Sequence, residues 1–127
     1  MTNEHIDLAI INRAKEDNVK LVQLQFTDIN GNIKAVTIPV ERFPESIEKG
    51  IWFDGSSIEG FTRICESDMY LKPDTSTYAL LPWETEEATA RLFCDVYMPD
   101  GSPFEGDPRY ILKRAIKNAR AMNFEYN

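Results

Sequence analysis

The sequence predicts an α+β domain in which helices pack against a small β-sheet. Three observations support this class: two alternating apolar segments around an Asn-Gly turn, a second pair of strand-like segments later in the chain, and helical apolar patterns near both ends. The chain has 127 residues and a mass of 14.6 kDa, the size of one ordinary domain with a single core. Its content of 43% hydrophobic and 28% charged residues is typical of a chain that folds.

The first element is a short amphipathic helix. Residues 4 to 17 place apolar side chains at helical spacing. Asn3 is available as the N-cap, and Asn18 can adopt the left-handed conformation that ends a helix. We therefore expect this helix to pack on the rest of the domain.

A hairpin and a second, brief helix follow. From Val19 the apolar period changes to two, and it is two again over residues 35 to 40. Asn30-Gly31 lies between these segments and is a strong hairpin signal. Residues 41 to 50 then predict a helix that ends at a glycine.

A long loop is predicted in the middle of the chain. Residues 51 to 54 are mostly apolar, and residues 55 to 76 show neither helical nor strand periodicity. Loops of this length are uncommon in small domains and usually carry function or cover a partner. This segment is therefore the first place to look for function.

The second half of the chain predicts two strands and a final helix. Residues 78 to 81 and 90 to 97 are the strands, and Asp107 with Pro108 begins the helix as N-cap and first helical residue. Its apolar stripe predicts a helix that faces the core: Ile111, Leu112, Ala115, Ile116, Ala119 and Met122. A β-grasp roll is one arrangement that fits these elements, and periodicity alone does not select it. An alternating segment begins at residue 123 and stops after one period, so we expect the native chain to be longer.

Charge and composition exclude several functions. Lys and Arg number 14 against 21 Asp and Glu, a net charge of −7 that makes nucleic acid a poor partner. Cys65 and Cys94 form no C-x-x-C pair, so we expect reduced thiols rather than a zinc site or a disulfide. No apolar run approaches the ~20 residues that span a bilayer, and the start of the chain lacks a basic signal-peptide region. These features predict a cytoplasmic protein with no membrane partner.

The residues of the central segment supply groups suited to a small cation. Residues 54 to 61 and 66 to 69 combine glycines, hydroxyls and carboxylates, which can hold a cation or an ammonium ion. The G-x-x-x-x-G-K-[ST] pattern of a phosphate-binding loop is absent. Solvated loop carboxylates remain an alternative that the residues alone do not exclude.

Several runs resemble one enzyme family. The run Phe53-Asp54-Gly55-Ser56-Ser57-Ile58-Glu59-Gly60-Phe61, then Glu66-Ser67-Asp68-Met69, Pro99-Asp100-Gly101 and Phe104-Glu105-Gly106-Asp107-Pro108-Arg109, resembles the N-terminal domain of bacterial type I glutamine synthetases, Gram-positive members in particular. The resemblance implies a β-grasp domain with a leading helix over residues 1–106. It also implies that residues 107–127 are the first helix of a catalytic domain.

The resemblance also implies an activity. In this family ATP phosphorylates the side-chain carboxylate of glutamate, and ammonia displaces the phosphate to give glutamine. By position in the motif, Asp54 would bind ammonium and help remove its proton, and Ser57 would help hold that site, in the active site of a neighbouring subunit. Glu59 and Arg63 would serve regulation or the subunit interface.

The family's assembly and cofactors are further expectations. The full-length enzyme would be a homo-dodecamer that uses ATP and Mg²⁺ or Mn²⁺, whose binding residues lie in the catalytic domain. We expect no cofactor or metal bound to this chain and no activity from it alone. The alternative is a free-standing β-grasp module whose residues 54 to 74 bind a protein partner, with contacts from Trp52, Phe53 and Phe61.

Overall fold

The chain folds into a mixed β-sheet with flanking helices. The structure is a computed structural model that describes residues 4–28, 30–54, 68–83 and 86–122, without the side chains of residues 4–7 and Asp54. Within these residues the helices and strands are α1 (Glu4–Glu16), β1 (Leu21–Thr27), β2 (Ile33–Pro39), α2 (Phe43–Lys49), β3 (Ile51–Asp54), β4 (Asp68–Pro73), β5 (Ala79–Leu80), β6 (Thr89–Tyr97) and α3 (Pro108–Ala121).

The sheet has the strand order β2-β1-β6-β4-β3, and β5 also pairs with β6. The central pair, β1 with β6, is parallel, with Leu21 beside Thr89. The other pairs are antiparallel. Parallel pairing at the centre requires a long crossover, and α2 with the β3–β4 hairpin lies within it. The α+β class predicted from the sequence is confirmed.

One face of the sheet forms the core with α1 and α2. Alternate residues of β1 and β6 are buried on this core face, including Leu24 and Leu92. Ala14 of α1 and Phe43 and Ile47 of α2 are buried against it. The intervening strand residues form the outer face, and most of them are half-buried or exposed: Gln23, Gln25, Trp52, Tyr70, Lys72, Arg91, Phe93, Asp95 and Tyr97.

Turn chemistry explains the ends of the early elements. Asn18 has a φ of 54° just after α1, as its predicted role as a left-handed stop requires. Gly31 has a φ of 85° in the turn between β1 and β2. The buried Asp28 accepts a hydrogen bond from the Asn32 backbone N–H at 2.8 Å through its Oδ1 atom. The predicted helix and hairpin are confirmed.

Two strands were not expected from the sequence. β4 occupies residues 68–73, inside the predicted loop of residues 55 to 76, so that part of the prediction is wrong. β3 forms over residues 51–54 and pairs only with β4 within the described chain. Both strands are short, and long-range pairing rather than a long local pattern defines them. The predicted strand over residues 78 to 81 is reduced to β5, because residues 75–77 form a 3-10 turn before it.

Candidate functional site

Pairing of β3 with β4 brings together the two ends of the segment 55–67, which contains most of the predicted site residues. Asp54, the last residue of β3, lies opposite Asp68, the first residue of β4, and Phe53 lies opposite Met69. The backbone of Asp54 therefore lies at the end of the β3–β4 pair. Its side chain, and the other predicted site residues Ser57, Glu59 and Arg63, lie outside the described residues.

The entry to β3 is a close approach that only glycine fits. Gly50 ends α2 with φ 76° and ψ 175°, a region that residues with a side chain avoid. A Cβ added there would lie 2.8 Å from the carbonyl oxygen of Leu71 and 2.8 Å from Cδ2 of Tyr70. The backbones of β3 and β4 and the Tyr70 ring are therefore in tight contact at this point.

An aromatic row crosses the outer face beside the hairpin. It consists of Trp52 on β3, Tyr70 on β4 and Tyr97 on β6, which are neighbours in the strand register. The Trp52 and Tyr70 ring centroids are 5.1 Å apart with the rings tilted by 46°, and those of Tyr70 and Tyr97 are 5.4 Å apart and stacked. Centroid separations in this range are typical of favourable aromatic pairs. Trp52, with 54% of its surface exposed, ends the row in solvent.

The opposite side of the hairpin is anchored in the core. Ile51 and Met69 are buried, and the half-buried Phe53 ring lies 5.1 Å from the ring of Phe26 on β1. Apolar burial therefore determines which face of β3 points inward.

Asp107 fixes the start of α3 to the sheet. Its Oδ1 atom accepts a hydrogen bond from the Arg109 backbone N–H, as expected of an N-cap, and its Oδ2 atom accepts one from the Val96 backbone N–H, both at 3.1 Å. Burial raises the pKa of Asp107 above its ordinary value, against the lowering effect of these two N–H donors. The predicted N-cap is confirmed, and its bond to β6 is an addition that the sequence did not indicate.

Arg109 joins α3 to β6 and to the end of β4. Its guanidinium donates to Oδ2 of Asp74 at 2.7 Å and to Oδ1 of Asp95 at 2.8 Å. Lys113 also pairs with Asp95, at 2.8 Å. Burial favours the neutral form of Asp74, but hydrogen bonds from Ser76 and Arg109 outweigh it and lower the pKa of Asp74. The result is an ion-pair network that holds α3 against β6 and the end of β4.

The apolar stripe of α3 is not in the core, contrary to the sequence-based prediction. Of its members only Ala119 is buried, while Ile111, Leu112 and Met122 expose 54%, 57% and 62% of their surface. Polar contacts at its first turn, rather than apolar burial, attach this helix to the sheet.

A cavity of about 260 Å³ lies between the sheet and α3. Gln25, Phe93 and Leu112 are among its mostly apolar lining residues, and Cys94 forms part of its wall. Burial raises the pKa of the Cys94 thiol, so its reactive thiolate form is disfavoured. Cys94 is a free cysteine, as expected, whereas Cys65 lies outside the described residues.

The described part of the chain offers no evident metal centre. Across residues 4–28, 30–54, 68–83 and 86–122, no three or more His, Cys, Asp or Glu residues are grouped so that they could hold a metal ion. None of the described helices has the length and apolar character needed to cross a membrane.

A family model described as the β-grasp domain of glutamine synthetase matches residues 18–99, which include every strand of the sheet. The chain belongs to the glutamine synthetase family. A glutamine synthetase from Thermotoga maritima is 58% identical over 111 residues, which is 87% of this chain and 25% of the relative. One from Staphylococcus aureus is 53% identical over 112 residues, again 87% of this chain and 25% of the relative. The expected family, its β-grasp fold and the likeness to Gram-positive members are therefore confirmed.

Solved structures agree on the fold. A cryo-EM structure of Plasmodium falciparum glutamine synthetase superposes with a TM-score of 0.79 over 96% of this chain and 23% of that one, at 24% sequence identity. The chain spans about a quarter of the length of the curated glutamine synthetases that it matches. The alternative of a free-standing binding module is not favoured by these matches.

Sequence reasoning missed the residues that pack around the β3–β4 hairpin. The sequence predicts Gly50 only as a helix stop, although both its backbone conformation and its close contact with β4 require glycine. The aromatic row was missed because its members belong to three strands, two of which were not predicted. The signal available in the sequence was Trp52, two positions before Asp54, together with Tyr70, two positions after Asp68. Aromatic residues placed symmetrically in this way are typical of a cross-strand pair.

Proposed function

We propose that this chain is the N-terminal part of a glutamine synthetase, which forms glutamine from glutamate and ammonia with ATP. The observation that carries the proposal is the family match over residues 18–99, which includes the β3–β4 hairpin. The 58% identity to a bacterial glutamine synthetase supports it. In this proposal the chain provides one wall of an active site and does not catalyse the reaction alone.

Asp54 is the proposed ammonium-binding residue. Ammonium is a small cation with only donors, whereas an ionised carboxylate has only acceptors, so their hydrogen bond is charge-assisted. A site closed to water strengthens that attraction. Aspartate is a weak base, so removal of the proton would be coupled to attack by ammonia rather than driven by basicity. Ser57 is proposed to help hold this site.

The rest of the longer protein is proposed to bind the cofactors. The family resemblance implies ATP with Mg²⁺ or Mn²⁺, and the described residues do not fit a metal because they bring no ligand cluster together. We therefore derive no step of the reaction through a metal or ATP from this chain. Glutamate would also bind mainly outside it.

We propose a domain boundary near residue 107. Residues 1–106 would form the β-grasp domain with its leading helix, and residues 107–127 would begin the catalytic domain. The exposed apolar side of α3 supports this boundary, because a helix that belonged wholly to this core would bury that side.

The proposed assembly is a ring of identical subunits, stacked as a cytoplasmic homo-dodecamer. Exposed Trp52 beside the hairpin gives apolar surface suited to a subunit contact. Each chain would then supply Asp54 to its neighbour's active site. Glu59 and Arg63 are proposed to act in regulation or at the same contact, on the basis of their place in the motif.

Asp54→Asn in the full-length protein tests the proposal. We expect the variant to lower kcat/KM for ammonium by at least about tenfold, because a charge-assisted hydrogen bond is lost. Glutamine formation would be followed at varied ammonium with saturating glutamate and ATP, and light scattering would verify that assembly is unchanged. Glu48→Gln removes an exposed carboxylate from α2 and serves as the matched control. Unchanged ammonium kinetics in Asp54→Asn would refute the role of Asp54.

A further inference from the structure

The backbone of Asp54 depends on a weakly supported strand. β3 has four residues and, within the described chain, pairs with β4 alone at the end of the strand order. A short edge strand of this kind has few backbone hydrogen bonds to hold its last residue in place. Side-chain contacts with β4 must therefore supply much of the order at Asp54.

Core packing holds β3 from one side only. Ile51 and Phe53 point into the core face and determine which side of the strand is inward. They do not contact the outer face, to which residues 52 and 54 belong by their register. The outer face needs its own support.

Tyr70 provides that support from the middle of the aromatic row. The centroid of its ring lies 5.1 Å from that of Trp52 and 5.4 Å from that of Tyr97. The same ring lies against Gly50, where an added Cβ would be 2.8 Å from Cδ2 of Tyr70. A Cβ added at Gly101 would lie 3.7 Å from the Tyr70 hydroxyl, so the far end of the side chain lies near the turn that contains Gly101. The ring is thus held on several sides and lies beside both strands of the hairpin.

We propose that Tyr70 is a positioning residue for Asp54, acting through its ring contact with Trp52. The proposal rests on the proposed function of Asp54. Tyr70 lies two residues after Asp68, and Trp52 lies two residues before Asp54. The Trp52–Tyr70 pair is therefore two positions along the strands from the Asp54–Asp68 pair. The ring, rather than the hydroxyl, carries the role.

Substitution of Tyr70 in the full-length enzyme tests the proposal. Tyr70→Leu is expected to raise KM for ammonium about two- to tenfold, the factor that corresponds to loss of an aromatic pair. KM for glutamate and ATP should stay within about twofold of wild type, because the proposed function gives Asp54 a role toward ammonium alone. Tyr70→Phe keeps the ring and should restore the wild-type KM for ammonium.

Two further variants keep the test decisive. Trp52→Leu removes the other half of the ring pair at a half-exposed position, so it should fold and should raise KM for ammonium in the same way. Because Trp52 is also proposed to lie at a subunit contact, light scattering must show that this variant assembles as wild type does. Phe93→Leu removes an outer-face aromatic of β6 outside the aromatic row and is the matched control, with no expected change in KM for ammonium.

The outcomes separate this proposal from the proposed function. If wild-type enzyme forms no glutamine from ammonium, both fall. If wild type is active and Asp54→Asn is impaired, but Tyr70→Leu or Trp52→Leu leaves KM for ammonium unchanged, only the positioning role is overturned. Equal changes in all three KM values, or the same change in Phe93→Leu, also overturn it.

Discussion

Gly50→Ala should destabilise the domain far more than an ordinary glycine substitution. The φ and ψ of 76° and 175° lie in a region that costs other residues about 1–3 kcal/mol. The added Cβ would also lie 2.8 Å from the Leu71 carbonyl oxygen, which cannot retreat without disturbing the pairing of Leu71 with Ile51. Overpacking of this kind costs about 1–3 kcal/mol more. The sum, about 2–6 kcal/mol, is a large part of the ~5–15 kcal/mol that stabilises a typical domain.

Gly31→Ala separates the two effects. Gly31 also has a positive φ, 85°, but an added Cβ there meets nothing within 4 Å. It therefore reports the backbone strain, about 1–2 kcal/mol, without the close contact. Both substitutions reduce the entropy of the unfolded chain similarly, so that effect cancels in the comparison.

Urea unfolding of the 127-residue chain, followed by circular dichroism, measures the difference. We expect Gly50→Ala to lower the free energy of unfolding by at least about 1 kcal/mol more than Gly31→Ala, with a similar dependence on urea concentration. Equal losses in the two variants would refute the argument that a Cβ at residue 50 collides with the backbone of β4.

Three other predictions concern the rest of the fold. The pKa of Asp74 is lower in the folded chain than its value of 3.8 in the unfolded chain, so the ionised carboxylate stabilises the fold above pH 3.8. That stabilisation is lost as the pH falls through the folded-state pKa. In Asp74→Asn, the free energy of unfolding should therefore fall less between pH 5 and pH 2 than in the wild-type chain. Leu112→Ser on exposed α3 should change the free energy of unfolding of this chain by less than about 0.5 kcal/mol, whereas Leu92→Ala in the core should cost about 2–5 kcal/mol by urea titration. Cys94 should resist thiol reagents until the chain unfolds, since it is buried and its pKa is raised; peptide mapping of the labelled chain in and out of urea measures this.

The parts of the fold that the sequence predicted correctly have strong local signals. Asn30-Gly31 defines its turn through backbone conformation, and Asn18 does the same for the end of α1. β6 alternates over residues 90–97, long enough for its period to be recognised. Such features depend on nearest neighbours, so they are visible in one sequence.

The parts that were missed depend on distant contacts. β4 alternates buried Met69 and Leu71 with more exposed residues, but it follows a polar segment and ends at Pro73, which favours a loop interpretation. The stripe of α3 has helical spacing, yet spacing does not say which surface covers it. For the site, the motif identified Asp54 as a candidate, and only the strand register placed it beside the aromatic row.

The parallel pairing of β1 with β6 has a consequence for synthesis on the ribosome. Leu21 pairs with Thr89, 68 positions later in the chain. At about 5–20 residues per second, β6 is made roughly 3–14 s after β1, whereas a hairpin forms in about 1–10 μs. The nascent β1–β2 hairpin therefore waits, with one edge of β1 unpaired, for most of the time that the domain is being made. We therefore expect a chaperone to bind the nascent β1–β2 hairpin more than any strand of the sheet that is made later, because the unpaired edge of β1 is exposed for the longest time.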